Sequence, residues 1–183
     1  MSELISPTTG LAVLHLFCKT KQENDNQSAR VTDRQALIQA VEKIKEQGDQ
    51  VVITAILGHK ADIAFMLLGN DLWRLRDAQT SLAQSGLEIV DSYVSLTEIS
   101  EYAAGLPEQM RNSRLYPELP PPGKPAFCFY PMSKRRDEQV NWFTLPFEER
   151  LELMHEHGTS GRAFAGRVLQ VITGSTGVDE FEW

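Results

Sequence analysis

The chain is poor in the residues that most often carry chemistry. It has two cysteines, four histidines and three tryptophans in 183 residues. Cys18 and Cys128 form no CxxC redox motif and no cysteine-based zinc set. Both lie in apolar, strand-like runs, which predicts two buried thiols in a reducing compartment rather than a disulfide. Positive charge is also scarce: 18 Lys and Arg stand against 25 Asp and Glu, for a net charge of −7 and a pI near 5.1. That balance argues against nucleic acid or an anionic membrane surface as the main partner. No apolar run approaches the length of a membrane span. The opening "MSELISPTTG" lacks the basic-then-apolar pattern of a secretion signal, so the expected location is the cytoplasm. A glycine-rich phosphate loop and a Ser-His-Asp arrangement are missing as well.

What is present is enough apolar residue, 42%, to bury one ordinary core or two small ones. The charge is uneven. Between residues 111 and 136 there are six basic residues, Arg111, Arg114, Lys124, Lys134, Arg135 and Arg136, against Glu118 alone. On charge alone this cluster reads equally well as a solvated loop or as a site for a small anionic ligand.

Periodicity predicts the order of elements. "GLAVLHLFCKT" (10–20) is a buried strand. Residues 32–48 repeat apolar positions at helical spacing, with Thr32 as a candidate N-cap and Gly48 as the stop. "QVVITAILG" and "ADIAFMLLG" are two strands around the turn "GHK", residues 71–86 form a second helix, and "LEIVDSYVSLTEIS" contains a fourth strand. The order β-α-β-β-α-β is that of a ferredoxin-like unit, residues 1–102, with an antiparallel sheet and both helices on one face. Residues 103–125 are a proline-rich connecting arm, because consecutive prolines enter neither helices nor central strands. The pattern restarts over 126–183: a strand at 126–132, a helix at 145–158 or longer, a strand at 167–174, and the beginning of another at 179–183. The fold class expected is therefore α+β, with two ferredoxin-like units of the dimeric α+β barrel type, the second incomplete.

Two stretches are dense in candidate functional residues. In the helix that ends "MHEHG", Phe147, Leu151 and Met154 form the apolar stripe and the glutamates form the opposite face. His157 falls on the apolar side and His155 at the polar margin. An imidazole on an apolar face needs a partner, which leaves His157 as a hydrogen-bonded core residue or as a ligand. One histidine with an aromatic-rich pocket is the pattern of haem ligation. The second stretch is "FCFYPMSKRR", with Tyr130, Met132 and Lys134, followed by Trp142 in "VNWF". By itself it reads either as an edge strand with a basic turn or as a redox-capable tyrosine and tryptophan beside carboxylate-binding cations.

The run "FYPMSKRR…NWFTLPFEERLELMHEHGTSGRAFAGRVLQVITGSTGVDEFEW" resembles the chlorite dismutase family, most closely its coproheme decarboxylases. "GHKADIAFMLL", "DSYVSLTEISEY" and "RLYPELP" extend the resemblance through the first unit. It implies two ferredoxin-like units, haem in the second and a homopentamer. Position by position it implies His157 as the iron ligand, Tyr130 as the tyrosine that forms a radical during decarboxylation, and Lys134 as proton donor and propionate anchor. Met132 and Trp142 match pocket residues, and Arg114 matches a propionate-binding arginine. Gln170 stands where chlorite-degrading members carry an arginine, which points away from chlorite chemistry. The implied reaction is the peroxide-dependent decarboxylation of two propionates of iron-coproporphyrin III, giving haem b. The substrate is then its own redox cofactor. The resemblance further implies that family members continue beyond "DEFEW", with strands that support the histidine.

Overall fold

A computed structural model of the chain describes residues 5–21, 31–103 and 105–183. The reading of the extreme N-terminus, and the part of the first unit at 22–30, fall outside the described residues.

Five strands form one antiparallel sheet in the order β2-β3-β1-β4-β5. They are β1 (Ala12–Lys19), β2 (Gln50–Ala55), β3 (Ile63–Gly69), β4 (Glu88–Thr97) and β5 (Thr173–Ser175). Helices α1 (Arg34–Glu46) and α2 (Leu72–Gln84) follow β1 and β3, so the first four strands have the expected ferredoxin-like order. Strand β1 sits centrally, paired with β3 on one side and β4 on the other. Its side chains alternate between faces, as every strand's do. Leu14, Leu16 and Cys18 join Val41, Ile44, Phe65, Leu67, Leu75 and Leu82 under the two helices. Val13, with Met66 and Leu68, faces the other way and is covered by Leu119 and Val171. Burial on both faces is why the strand reads as an unbroken apolar run.

Local chemistry sets the helix ends. Asp33, not the expected Thr32, caps α1: its Oδ1 accepts from Gln35 N (2.9 Å) and Ala36 N (3.1 Å). Thr32 is drawn away because its hydroxyl accepts from Lys21 N (2.9 Å) and donates to Gly86 O (3.2 Å). Asp71 caps α2 through Trp73 N (2.9 Å). Buried Asp49 pairs with Arg74 of α2 at 2.7 Å and so ties the start of β2 to that helix. Burial raises the Asp49 carboxyl and the arginine counters it. Gly69 makes room, since a Cβ there would overlap Asp49 Oδ1.

The second half departs from its expected strands. The arm contains a two-turn helix, α3 (Glu108–Leu115), which follows Pro107 and precedes the run of prolines from Pro117. Of 167–174, only the end pairs, as β5 at the free edge of β4. Residues 126–132 are extended but form no ladder, and 179–183 reaches them through three backbone hydrogen bonds only: Met132 N to Trp183 O (2.7 Å), Glu182 N to Met132 O (3.1 Å) and Trp183 N to Met132 O (3.0 Å). A strand needs a lateral partner for its amides, and 126–132 lies across a sheet face rather than along an edge. Helix α4 (Phe147–Arg162) forms as expected and runs longer, with Glu148 and Glu149 in its first turn and Arg162 in its last, matching the helix dipole.

The stretch 126–132 is held by aromatic contacts. The ring of His15 lies 4.6 Å from Phe129 and 6.4 Å from Phe127, with Tyr93 at 6.5 Å. Phe17 adds a contact to Phe129 at 5.2 Å. Cys128 alternates to the opposite side and is exposed, which corrects the expectation of two buried thiols; Cys18 is buried, and neither is in a disulfide. His15 is 5% exposed, its Nδ1 has no hydrogen-bond partner among the described residues, and burial lowers its pKa from 6.5 to about 4.

Because the folded pKa lies below the unfolded one, the unfolded chain takes up a proton at His15 between pH 6.5 and about 4 that the native state does not. This contribution to stability is complete above pH 6.5 and is lost as pH falls, by about 3 kcal/mol in total. Denaturant titrations of the wild type and His15→Leu at pH 7.5 and pH 4 test it. The drop in unfolding free energy between the two pH values will be smaller in the variant by about that amount.

Candidate functional site

Of the expected site residues, Trp142 packs against Lys134, whose side chain is half-buried. A tight hairpin follows it. Arg136 and Asn141 form a bridge, Asp137 N bonds to Val140 O (3.0 Å), and Trp142 N bonds to Arg135 O (2.9 Å). This return places the Trp142 ring 4.1 Å from Lys134 Nζ. Trp183 presents a second indole at 5.7 Å, and Nζ donates to Met154 Sδ of α4 at 3.8 Å. The ammonium is thus faced by two π systems and a thioether. Lys134 is not in any ion pair among the described residues. Its backbone N bonds to Glu182 Oε2 at 3.1 Å.

Around this cation a chain of aromatic contacts runs back to the first unit. Tyr102 meets Trp142 edge-on at 6.0 Å and stacks on Phe147 of α4 at 5.6 Å. Arg150 pairs with Glu101 at 3.5 Å and lies 5.9 Å from the Tyr102 ring. Burial, with the neighbouring Glu101, pushes the Tyr102 phenol up, and its hydroxyl has no partner among the described residues. These contacts dock the N-terminal half of α4.

The other expected residues are placed as follows. Arg114, at the end of α3, and Gln170 share a cavity of about 220 Å³ with Ile172. Tyr130 is 58% exposed and Met132 is 46% exposed, on the side of the extended stretch opposite Phe127 and Phe129. His157 is exposed, and no residue of α4 is buried. The alternative of a hydrogen-bonded core histidine therefore fails: along this helix Phe147 packs against Tyr102 and Met154 against Lys134, with no residue of α4 in a closed core. His157 follows Met154 by three residues, one turn on the same side of the helix, whereas His155 is rotated away. No side-chain hydrogen bond joins Tyr130 or His157 to another expected residue among the described residues.

Among the residues of this cluster that were not expected are Tyr102, Met154, Trp183 and Glu98, whose Oε1 accepts from Trp183 Nε1 at 2.6 Å. Met154 carried a usable signal, its i, i+3 spacing to His157. Trp183 and Glu98 carried none, since their meeting depends on how the end of the chain returns across β4. The donor set has a definite chemistry. Among the described residues no three His, Cys, Asp or Glu side chains are grouped to hold a metal ion. A single accessible histidine fits an iron whose equatorial ligands come from a porphyrin.

Comparison with known proteins agrees with this architecture. The family model for chlorite dismutase matches residues 28–183. A solved structure of a haem-binding protein from Thermus thermophilus is 32% identical, with a TM-score of 0.79 over 99% of this chain and 79% of that one. Chlorite dismutase from Candidatus Nitrospira defluvii, solved as a variant, shares the fold at 17% identity and TM-score 0.64, over 96% of this chain and 75% of that one.

Tyr102 offers a test of how α4 is held. An aromatic pair adds about 1 kcal/mol beyond burial. Tyr102→Ala will therefore speed amide exchange in residues 147–154 about fivefold to tenfold. Tyr102→Phe, which removes only a buried hydroxyl without a partner, will leave exchange there unchanged.

Proposed function

Because the chain belongs to the chlorite dismutase family, we propose that it is a haem-biosynthetic oxidoreductase that converts iron-coproporphyrin III to haem b with hydrogen peroxide. The observation that carries the reading is the Lys134 ammonium, set between two indoles and the Met154 thioether and in no ion pair among the described residues, with Met154 one helical turn from an accessible histidine. A half-buried cation engaged in no ion pair favours a carboxylate brought by a ligand. Coproporphyrin brings four.

In this reading His157 holds the iron, Lys134 and Arg114 receive propionates, and Met132, Trp142 and Gln170 line the pocket, with residues 126–183 as the haem-binding unit. The bound iron supplies the reduction of peroxide. Each propionate, with one hydrogen peroxide and one proton, gives one vinyl group, one carbon dioxide and two waters. The side chain loses a hydrogen atom next to the ring and a second electron, and its carboxylate leaves as carbon dioxide. Tyr130 takes that hydrogen atom at its phenolic oxygen after losing its own. Lys134 Nζ steadies the carboxylate and delivers the proton. Gln170, neutral where an arginine would favour chlorite, agrees with an organic substrate. A homopentamer in the cytoplasm completes the proposal.

The exposure of His157 and Tyr130 favours a second reading: a haem-binding or assembly subunit without turnover. Titration with iron-coproporphyrin, followed by peroxide, separates the two. The wild type will give the Soret band of a histidine-ligated ferric porphyrin and release carbon dioxide. His157→Ala will lose the band. Tyr130→Phe will bind but release no carbon dioxide. Binding without carbon dioxide release in the wild type selects the second reading, and no band at micromolar protein sinks both.

A further inference from the structure

We propose that Glu98 is a positioning residue that acts through Trp183 to hold Lys134 as a socket for one ligand carboxylate, a proposal that rests on the reading of Lys134 given above. Glu98 follows the end of β4, half-buried. Its Oε1 accepts from Trp183 Nε1 at 2.6 Å, a short bond to an ionised acceptor. Its other oxygen lies against Gly174 of β5, where a Cβ would overlap it. Only glycine leaves room for that carboxylate. The Glu98 amide also reaches Ile172 O at 3.4 Å, so the residue is placed by backbone as well.

Trp183 is therefore fixed at two points. Its backbone pairs with Met132 (2.7 and 3.0 Å), and its indole N–H is held by Glu98. The face so oriented is one wall of the Lys134 slot, and Trp142 is the other. Glu98 thus commits its charge to an N–H rather than to the lysine. The ammonium stays in place with its charge available. A pre-positioned lysine loses less side-chain freedom when a carboxylate arrives.

The whole chain is used for the test, as wild type, Glu98→Ala, Glu98→Gln and Lys134→Ala. In apoprotein the readouts are the rate of Lys134 acylation by an amine-reactive ester, followed by peptide mass, and the indole N–H resonance of Trp183. Glu98→Ala will speed acylation about fivefold and move the resonance. Glu98→Gln, whose amide oxygen accepts the same bond, will restore both. In the ligand arm, Glu98→Ala will weaken iron-coproporphyrin binding about fivefold and leave its tetra-amide analogue unaffected. Unchanged acylation and an unmoved resonance in Glu98→Ala overturn the proposal. If Lys134→Ala binds iron-coproporphyrin like the wild type, the assignment of Lys134 to a propionate falls instead, while the apoprotein measurements still decide whether Glu98 positions it. Should Glu98→Ala not fold, Trp183→Phe, which keeps a ring and removes the N–H, will speed Lys134 acylation and weaken iron-coproporphyrin binding to the same extent, and unchanged acylation in it overturns the proposal.

Discussion

The central strand is covered twice, and the second cover is the contact of His15 and Phe17 with Phe129. Helices α1 and α2 bury one face of the sheet. The other face presents Val13, His15 and Phe17 of β1, with Met66, Leu68 and Tyr93 alongside. Left bare, that face would be an apolar patch. Phe127 and Phe129 close part of it, and by doing so they set the parity of the extended stretch. With odd positions turned to the sheet, Cys128, Tyr130 and Met132 turn away from it. A slip of one residue would exchange the two sets. The orientation of Tyr130 is thus a consequence of packing around a buried histidine whose Nδ1 has no hydrogen-bond partner among the described residues.

Strand β4 makes the second dependence. It is ten residues long and outruns its partner β1. Beyond the first unit's own core it carries groups that fasten the second half. Tyr93 donates to Phe181 O (3.2 Å), and Val94 N bonds to Asp179 Oδ2 (2.7 Å). Glu98 then holds Trp183, and Tyr102 stacks on α4. The first unit is therefore a template on which the cluster around Lys134 is assembled, although Lys134, Trp142 and Met154 all lie far away in sequence.

The first unit could be read almost entirely from periodicity, because each of its strands and helices has an apolar pattern that its neighbours satisfy. Its one local error, Thr32 for Asp33, came from competing hydrogen bonds across the chain, which no local pattern carries. The second half was less readable for a physical reason. "AFCFYPM" has the composition of a strand, but pairing is decided by what lies beside it, and here a face of aromatic rings takes the place of a neighbouring strand. In α4 the apolar stripe was placed correctly and its partners were not: Phe147 is 43% exposed and meets Tyr102 rather than a core. The family resemblance supplied the candidate residues. What it did not supply was the set of groups that hold one of them, since Glu98 and Trp183 meet only through the return of the chain.

The basic cluster shows the same limit in electrostatic terms. Counted along the sequence, residues 111–136 hold six cations. In space three of the six are already engaged. Arg135 pairs with Asp137 and Arg136 with Glu182, while Lys124 donates to the carbonyls of Gly166 and Arg167. Arg111 is exposed on α3. Two cations remain in built surroundings: Arg114 beside Gln170 at a cavity, and Lys134 between two indoles. Charge density attracts any anion weakly and is screened by salt. A half-buried lysine between aromatic faces is different, because the two indoles exclude water from part of the ammonium and no ion pair among the described residues holds it. In the function proposed here, selectivity for a ligand with carboxylates at its rim would come from where two cations are held, and not from how many the chain contains.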